Sequence, residues 1–160
     1  MWQQLIKMVN ILISEYERLL ALGQKKRAIL IAVDFKSLEA VLKEEQDVIA
    51  SIAKSEEARK AALKKLSSDC KNISSATKMT DLYQVCPPAL TAELKECNER
   101  LGRIVQKNTE ASEANKFLIS AALSAVEYHL NVLGETKASP VYGATGSEQF
   151  SKSKKFDFEA

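Results

Sequence analysis

From Trp2 onward, apolar side chains return at alternating steps of four and three residues, at Leu5, Val9, Leu12, Tyr16 and Leu19. Leu30 and Val33 follow on the same seam after the basic patch Lys25, Lys26 and Arg27. That rhythm is one face of a helix held against a neighbour, and it predicts a first helix over about 2–33. Gly23 falls inside it and costs about 1 kcal/mol relative to alanine, which marks a weak point or bend. Asp34 is the natural break, because its side chain can accept from the free backbone N–H groups of a helix starting at Phe35. A second helix over 35–68 carries Leu38, Leu42, Ile49, Ile52, Leu63 and Leu66 on one stripe, with Glu45, Glu56 and Arg59 on that same stripe. Polar residues at seam positions weaken a core and help fix register, so the pattern points to a narrow, open coiled coil.

After Ser68 the period breaks up in "DCKNISSATKMTDLYQVCPP", a polar connection with room for one short helical turn at 80–85. Pro87 and Pro88 stop that turn, and Pro88 suits the first position of a third helix over 88–133. Its seam runs Leu90, Leu94, Cys97, Leu101, Ile104, Asn108, Ala111, Asn115, Leu118, Ala122, Ala125 and Val132. A helix of that length approaches about 65 Å and is stable only when laid along others. Gly134 follows the last periodic residue and reads as a helix stop. Beyond it no period survives, and Val141, Tyr142, Phe150, Phe156 and Phe158 stand apart among Ser, Gly and Lys. The expected fold is all-α: long antiparallel helices in a coiled-coil-like helical bundle over 1–133, followed by a disordered C-terminal tail over 134–160.

Composition narrows the functional classes. Only 5 Gly and 3 Pro in 160 residues leave few turns, in keeping with few, long elements. The 23 basic and 21 acidic residues are interleaved, which gives no electrostatic footprint for nucleic acid. The basic clusters "GQKKR" and "ARKAALKK" have acidic neighbours and read as solvated helix faces, the alternative being an acidic partner. Cys70, Cys86 and Cys97 form no CxxC pair and the chain holds 1 His, so neither a zinc site nor a disulfide framework is expected. Apolar runs such as "FLISAALSAV" are too short to span a bilayer, and the charged N-terminus is no signal peptide. A soluble, cytoplasmic protein without membrane insertion is the expectation.

No residue set supports catalysis or a cofactor. Glu127 and His129 are two apart and do not face each other on a helix, and "YGATG" lacks the lysine and preceding strand of a phosphate loop. Asn108 and Asn115, one heptad apart on the seam, fit register control or a place where another helix approaches. The aromatic-bearing tail fits either a segment that folds onto a partner or a tolerated terminus.

The long first helix, the break at Val33-Asp34, the stripe "LEAVLKEEQDVI", and "NKFLISAALSAVEYHLNVL" followed closely by "VYGATG" together resemble the FlgN family. These are cytoplasmic chaperones of the flagellar type III export system. The most specific parts are Asn115 with Leu118, Ile119, Ser120 and Leu123, and the Tyr142-Gly143-x-x-Gly146 turn. The resemblance implies a non-enzymatic chaperone that binds the C-terminal helical segments of the hook-associated proteins FlgK and FlgL and docks on the export gate protein FlhA. It further implies a client surface of Asn115, Leu118, Ile119, Ala122, Leu123, Val126 and Leu130, and gate docking through Tyr142, Gly143 and Gly146. The competing expectation is a coiled-coil adaptor with a dispensable tail, and a homo-oligomer through leftover seam remains open in either case.

Overall fold

A computed structural model describes residues 1–69 and 77–136 of the chain. Their regular elements are helices: α1 (Trp2–Ala32), α2 (Phe35–Asp69), α3 (Met79–Leu82) and α4 (Pro88–Thr136). The chain divides into two compact units, Met1–Lys116 and Phe117–Ala160, and α4 contributes to both.

Within the first unit, α1 ends where Val33 turns left-handed, with φ 56° and ψ 33°. That turn returns the Val33 and Asp34 N–H groups to the carbonyls of Leu30 and Ile29, at 3.3 and 3.2 Å. Glycine usually makes this helix ending, because a side chain at positive φ crowds the backbone. Asp34 then caps α2: its Oδ1 accepts the Ser37 N–H at 3.2 Å and its Oδ2 accepts the Ser37 hydroxyl. The Ser37 hydroxyl and then the Ser37 N–H hold the Asp34 carboxyl below its ordinary range.

α1 and α2 run antiparallel, as their cross-links show. Lys26 Nζ donates to both Glu45 oxygens at 2.6 Å, and the Ser51 hydroxyl donates to Glu15 Oε1 at 2.9 Å. α4 runs parallel to α1 in this unit, with Cys97 Sγ 3.4 Å from Asn10 Oδ1 and Arg100 2.7 Å from Glu17. One core cluster gathers Leu5, Ile6, Val9 and Ile13 of α1 with Leu63 and Leu66 of α2 and Leu94 of α4. Leu82 of α3 and Cys86 in the following turn complete it, so the short helix plugs this part of the core. A second cluster joins Leu12 and Leu22 to Val48 and Ile52, with Tyr16 and Leu19 packed against it. Burial is the largest influence on the Cys86 and Cys97 thiols and raises the pKa of both.

Three local readings change. The first half of the α2 stripe is displaced by one residue: Val41 and Val48 are buried, whereas Leu42 and Ile49 are exposed. Both sets keep the heptad rhythm and share Glu45 and Ile52. A one-residue shift turns a helix by about 100°, and here the β-branched valines face α1 and the longer residues face outward. The expected turn over 80–85 is helical only at Met79–Leu82; Val85 and Cys86 then hydrogen-bond back to the Leu82 carbonyl in a turn. Gly134 does not stop α4, which continues to Thr136. A single glycine costs a helix only about 1 kcal/mol and no proline follows until Pro140, so the ladder runs on. Pro88 opens α4 as its position predicts, with the Leu90 and Thr91 N–H groups returning to the Pro87 carbonyl at 2.8 and 3.2 Å.

Candidate functional site

α4 carries two chemically different surfaces in succession. Along Met1–Lys116 its seam is occupied: Leu94, Cys97 and Ile104 are buried, and two asparagines take the next polar seam positions. Asn108 Nδ2 donates to the carbonyls of Tyr16 and Ile104, at 2.8 and 2.9 Å. Asn115 Nδ2 donates to the carbonyl of Gly23 at 2.8 Å. The acceptors Tyr16 and Gly23 on α1 are one heptad apart, as are the two asparagines on α4. The amides therefore clip α4 to the α1 backbone in a single register. The clips are unequal, because Asn115 is only 2% exposed and its Oδ1 is buried without a donor.

Beside this contact lies a cleft of about 410 Å³ between α1 and α4. The small residues Gly23, Ala111 and Ala114 line it together with Arg27, Lys107 and Asn115. A Cβ added to Gly23 would stand 3.8 Å from Ala111 Cβ and 4.0 Å from Asn115 Nδ2, an ordinary contact. α1 passes through Gly23 as one continuous helix.

In the second unit α4 is apolar and uncovered among the described residues. Ile119, Leu123, Val126 and Leu130 are 39%, 59%, 55% and 60% exposed and follow one another at steps of four, three and four. Leu133 continues the series after three more residues and is also exposed. These positions form one face about 21 Å long, in the rhythm that a second helix reads. Ala122 is exposed beside it and Leu118 is half-buried. The exposed aliphatic residues lie in one contiguous row rather than scattered singly. Formal charge over 117–133 is limited to Glu127. The Tyr128 and His129 rings meet edge to face, with centroids 5.7 Å apart.

The structure thus separates the residues expected to form one client surface. Ile119, Ala122, Leu123, Val126 and Leu130 are exposed on the Phe117–Ala160 unit, whereas Asn115 is committed to α1 within Met1–Lys116. Tyr142, Gly143 and Gly146 lie outside the described residues, as does the tail that carries them. Phe117 and Tyr128, among the most exposed aromatic side chains described, were not singled out by the sequence. A helical wheel of "FLISAALSAVEYHL" was the signal available, since both positions fall off the inward seam. No group of three or more His, Cys, Asp and Glu residues could hold a metal ion among the described residues. Nor is any described helix long and apolar enough to cross a membrane.

Among characterised proteins and solved structures the chain has no significant match. The family model described as FlgN protein matches residues 1–149, which takes in all four helices. With that match over most of the chain, this all-helical protein belongs to the FlgN family, chaperones of flagellar assembly.

Proposed function

We propose that the protein is a cytoplasmic, non-catalytic export chaperone whose α4 face captures the C-terminal helical segments of FlgK and FlgL and keeps them from assembling early. The single observation that supports this most is the exposed row Ile119, Leu123, Val126 and Leu130, an unfilled half of a helix–helix seam. An amphipathic client helix brings the other half, in the helix-in-groove mode. Leu118 and Ala122 border the row, and Asn115 serves it by holding α4 to α1. The tail through Tyr142, Gly143 and Gly146 is assigned to docking on the export gate protein FlhA, where one ring can anchor a pocket.

A pull-down with C-terminal FlgK and FlgL fragments tests the reading. Capture is expected from the full chain and lost in Leu123→Glu, whose exposed position leaves the fold intact. Tyr142→Ala is expected to keep client capture and weaken FlhA binding. Full capture by Leu123→Glu would take the client site off this face, and no capture by the full chain would favour a coiled-coil adaptor with a dispensable tail.

A further inference from the structure

The row Ile119, Leu123, Val126 and Leu130 offers apolar contact to any amphipathic helix, so something beside it must tell one helix from another. At about 100° per residue, Glu127 lies about 70° round α4 from the mean direction of that row. That position flanks a helix–helix seam, where charge sets partner choice and orientation in paired helices. Ser120, Ser124 and Asn131 share this side with Glu127 at steps of four, three and four, and all four residues are exposed. His129 lies on the other flank, about 160° round the helix from Glu127. The Glu127 carboxylate makes no ion pair or hydrogen bond with another described residue. No other Asp, Glu, Lys or Arg occurs within seven residues of it on either side. Seven residues of helix rise about 10 Å, close to the distance over which physiological salt screens charge, so no formal charge along α4 offsets this carboxylate.

We propose that Glu127 is a specificity-determining residue of the client site: it selects an amphipathic helix that carries Lys or Arg beside its apolar stripe and rejects one that carries Asp or Glu there. This rests on the client-binding reading above and adds to it the charge pattern of the helix that fits. The backbone groups of a client helix are closed within that helix, so a side chain from its flanking position is what reaches Glu127. A Lys or Arg there meets a carboxylate with no competing partner among the described residues, whereas an acid meets like charge. Ser120, Ser124 and Asn131 extend the same side with groups that both donate and accept, so they leave the choice of sign to Glu127. Because Glu127 is exposed, the pair contributes more to discrimination than to total affinity, and salt weakens it.

The test is calorimetric titration of the full chain with C-terminal FlgK and FlgL fragments at low and high salt. Glu127→Gln is expected to bind about two- to fivefold more weakly than wild type at low salt, and Glu127→Lys about tenfold more weakly. Both differences are expected to shrink towards none at high salt, with helicity unchanged. Leu123→Ala is expected to weaken binding by the same factor at either salt concentration. Single Lys or Arg to Gln replacements in the fragments locate the opposite charge: one of them should cost the wild type as much as Glu127→Gln does and cost Glu127→Gln nothing more. Wild-type affinity in Glu127→Lys at low salt, a loss that salt leaves unchanged, or no such coupled replacement would overturn the role of Glu127 and leave the apolar row standing. Failure of both fragments to bind the wild type would overturn both readings.

Discussion

Asn108 and Asn115 occupy equivalent seam positions one heptad apart, yet their replacement should shift stability in opposite directions. Asn108 donates to two carbonyls, at 2.8 and 2.9 Å. Each bond contributes about 0.5–1.5 kcal/mol net, so Asn108→Ala should cost about 1–3 kcal/mol. Asn115 makes one such bond, at 2.8 Å, and leaves Oδ1 buried without a donor. An orphaned buried polar atom costs about 1–3 kcal/mol. Leucine has the same branched skeleton as asparagine, so Asn115→Leu loses one bond, removes the orphan and buries two methyl groups. The balance is a gain of about 1–2 kcal/mol. For a chain of this size each kcal/mol moves the melting temperature by about 2–4 °C. Thermal unfolding followed by far-ultraviolet circular dichroism should show Asn115→Leu melting about 2–8 °C above wild type and Asn108→Ala melting below it. Scans at two protein concentrations would separate stability from any change in association, since a polar seam residue also restrains oligomer state. Equal losses in both variants would refute the reasoning, because they would mean that Asn115 Oδ1 is satisfied in solution.

Val33→Gly should raise the urea midpoint, by the equivalent of about 0.5–1 kcal/mol in unfolding free energy: the left-handed backbone costs a side chain about 1–2 kcal/mol, part of which glycine returns as unfolded-state entropy. A lower midpoint would contradict the strain assigned to Val33, which is 62% exposed and has little burial to lose. Asp34→Ala should lower the melting temperature at neutral pH. Because the folded carboxyl is held below its ordinary value, its contribution is present above the unfolded pKa and lost as pH falls through the folded one. The gap between Asp34→Ala and wild type should therefore shrink below about pH 4, and a constant gap would rule out the cap. Cys86 and Cys97, buried and with raised thiol pKa values, should alkylate much more slowly in the folded chain than in urea. Peptide mass mapping would show it, and comparable rates in the two states would contradict the burial.

Periodicity made the long helices legible because their inward residues obey one rhythm. Leu5, Val9 and Leu12 recur at heptad steps and are all buried, and Pro88 and Asp34 act through chemistry written in single residues. What failed was rotation about a helix axis. Leu42 and Ile49 keep the same period as Val41 and Val48, and only the neighbouring helix decides which set turns inward. The left-handed Val33 was equally hidden, since a β-branched residue is a poor candidate for positive φ and only the helix-ending geometry demands it.

The α4 surface was half legible for a related reason. Ile119, Leu123, Val126 and Leu130 fall in one row by spacing alone, but whether a row is covered depends on the rest of the fold. Asn115 shares that spacing closely enough to be grouped with them, yet its amide is spent on the Gly23 carbonyl. Only coordinates separate the clip from the face. The cleft was beyond sequence reasoning, since Gly23 and Arg27 meet Lys107, Ala111 and Ala114 across 80 or more residues of chain.

The most direct test of the central claim is an isothermal titration of the full chain and its Leu123→Glu/Leu130→Glu variant with the C-terminal helical fragment of FlgK. The account predicts saturable binding by the wild type and none by the variant, with helicity and melting temperature nearly unchanged because both side chains are exposed. Undiminished binding by the folded variant would contradict it.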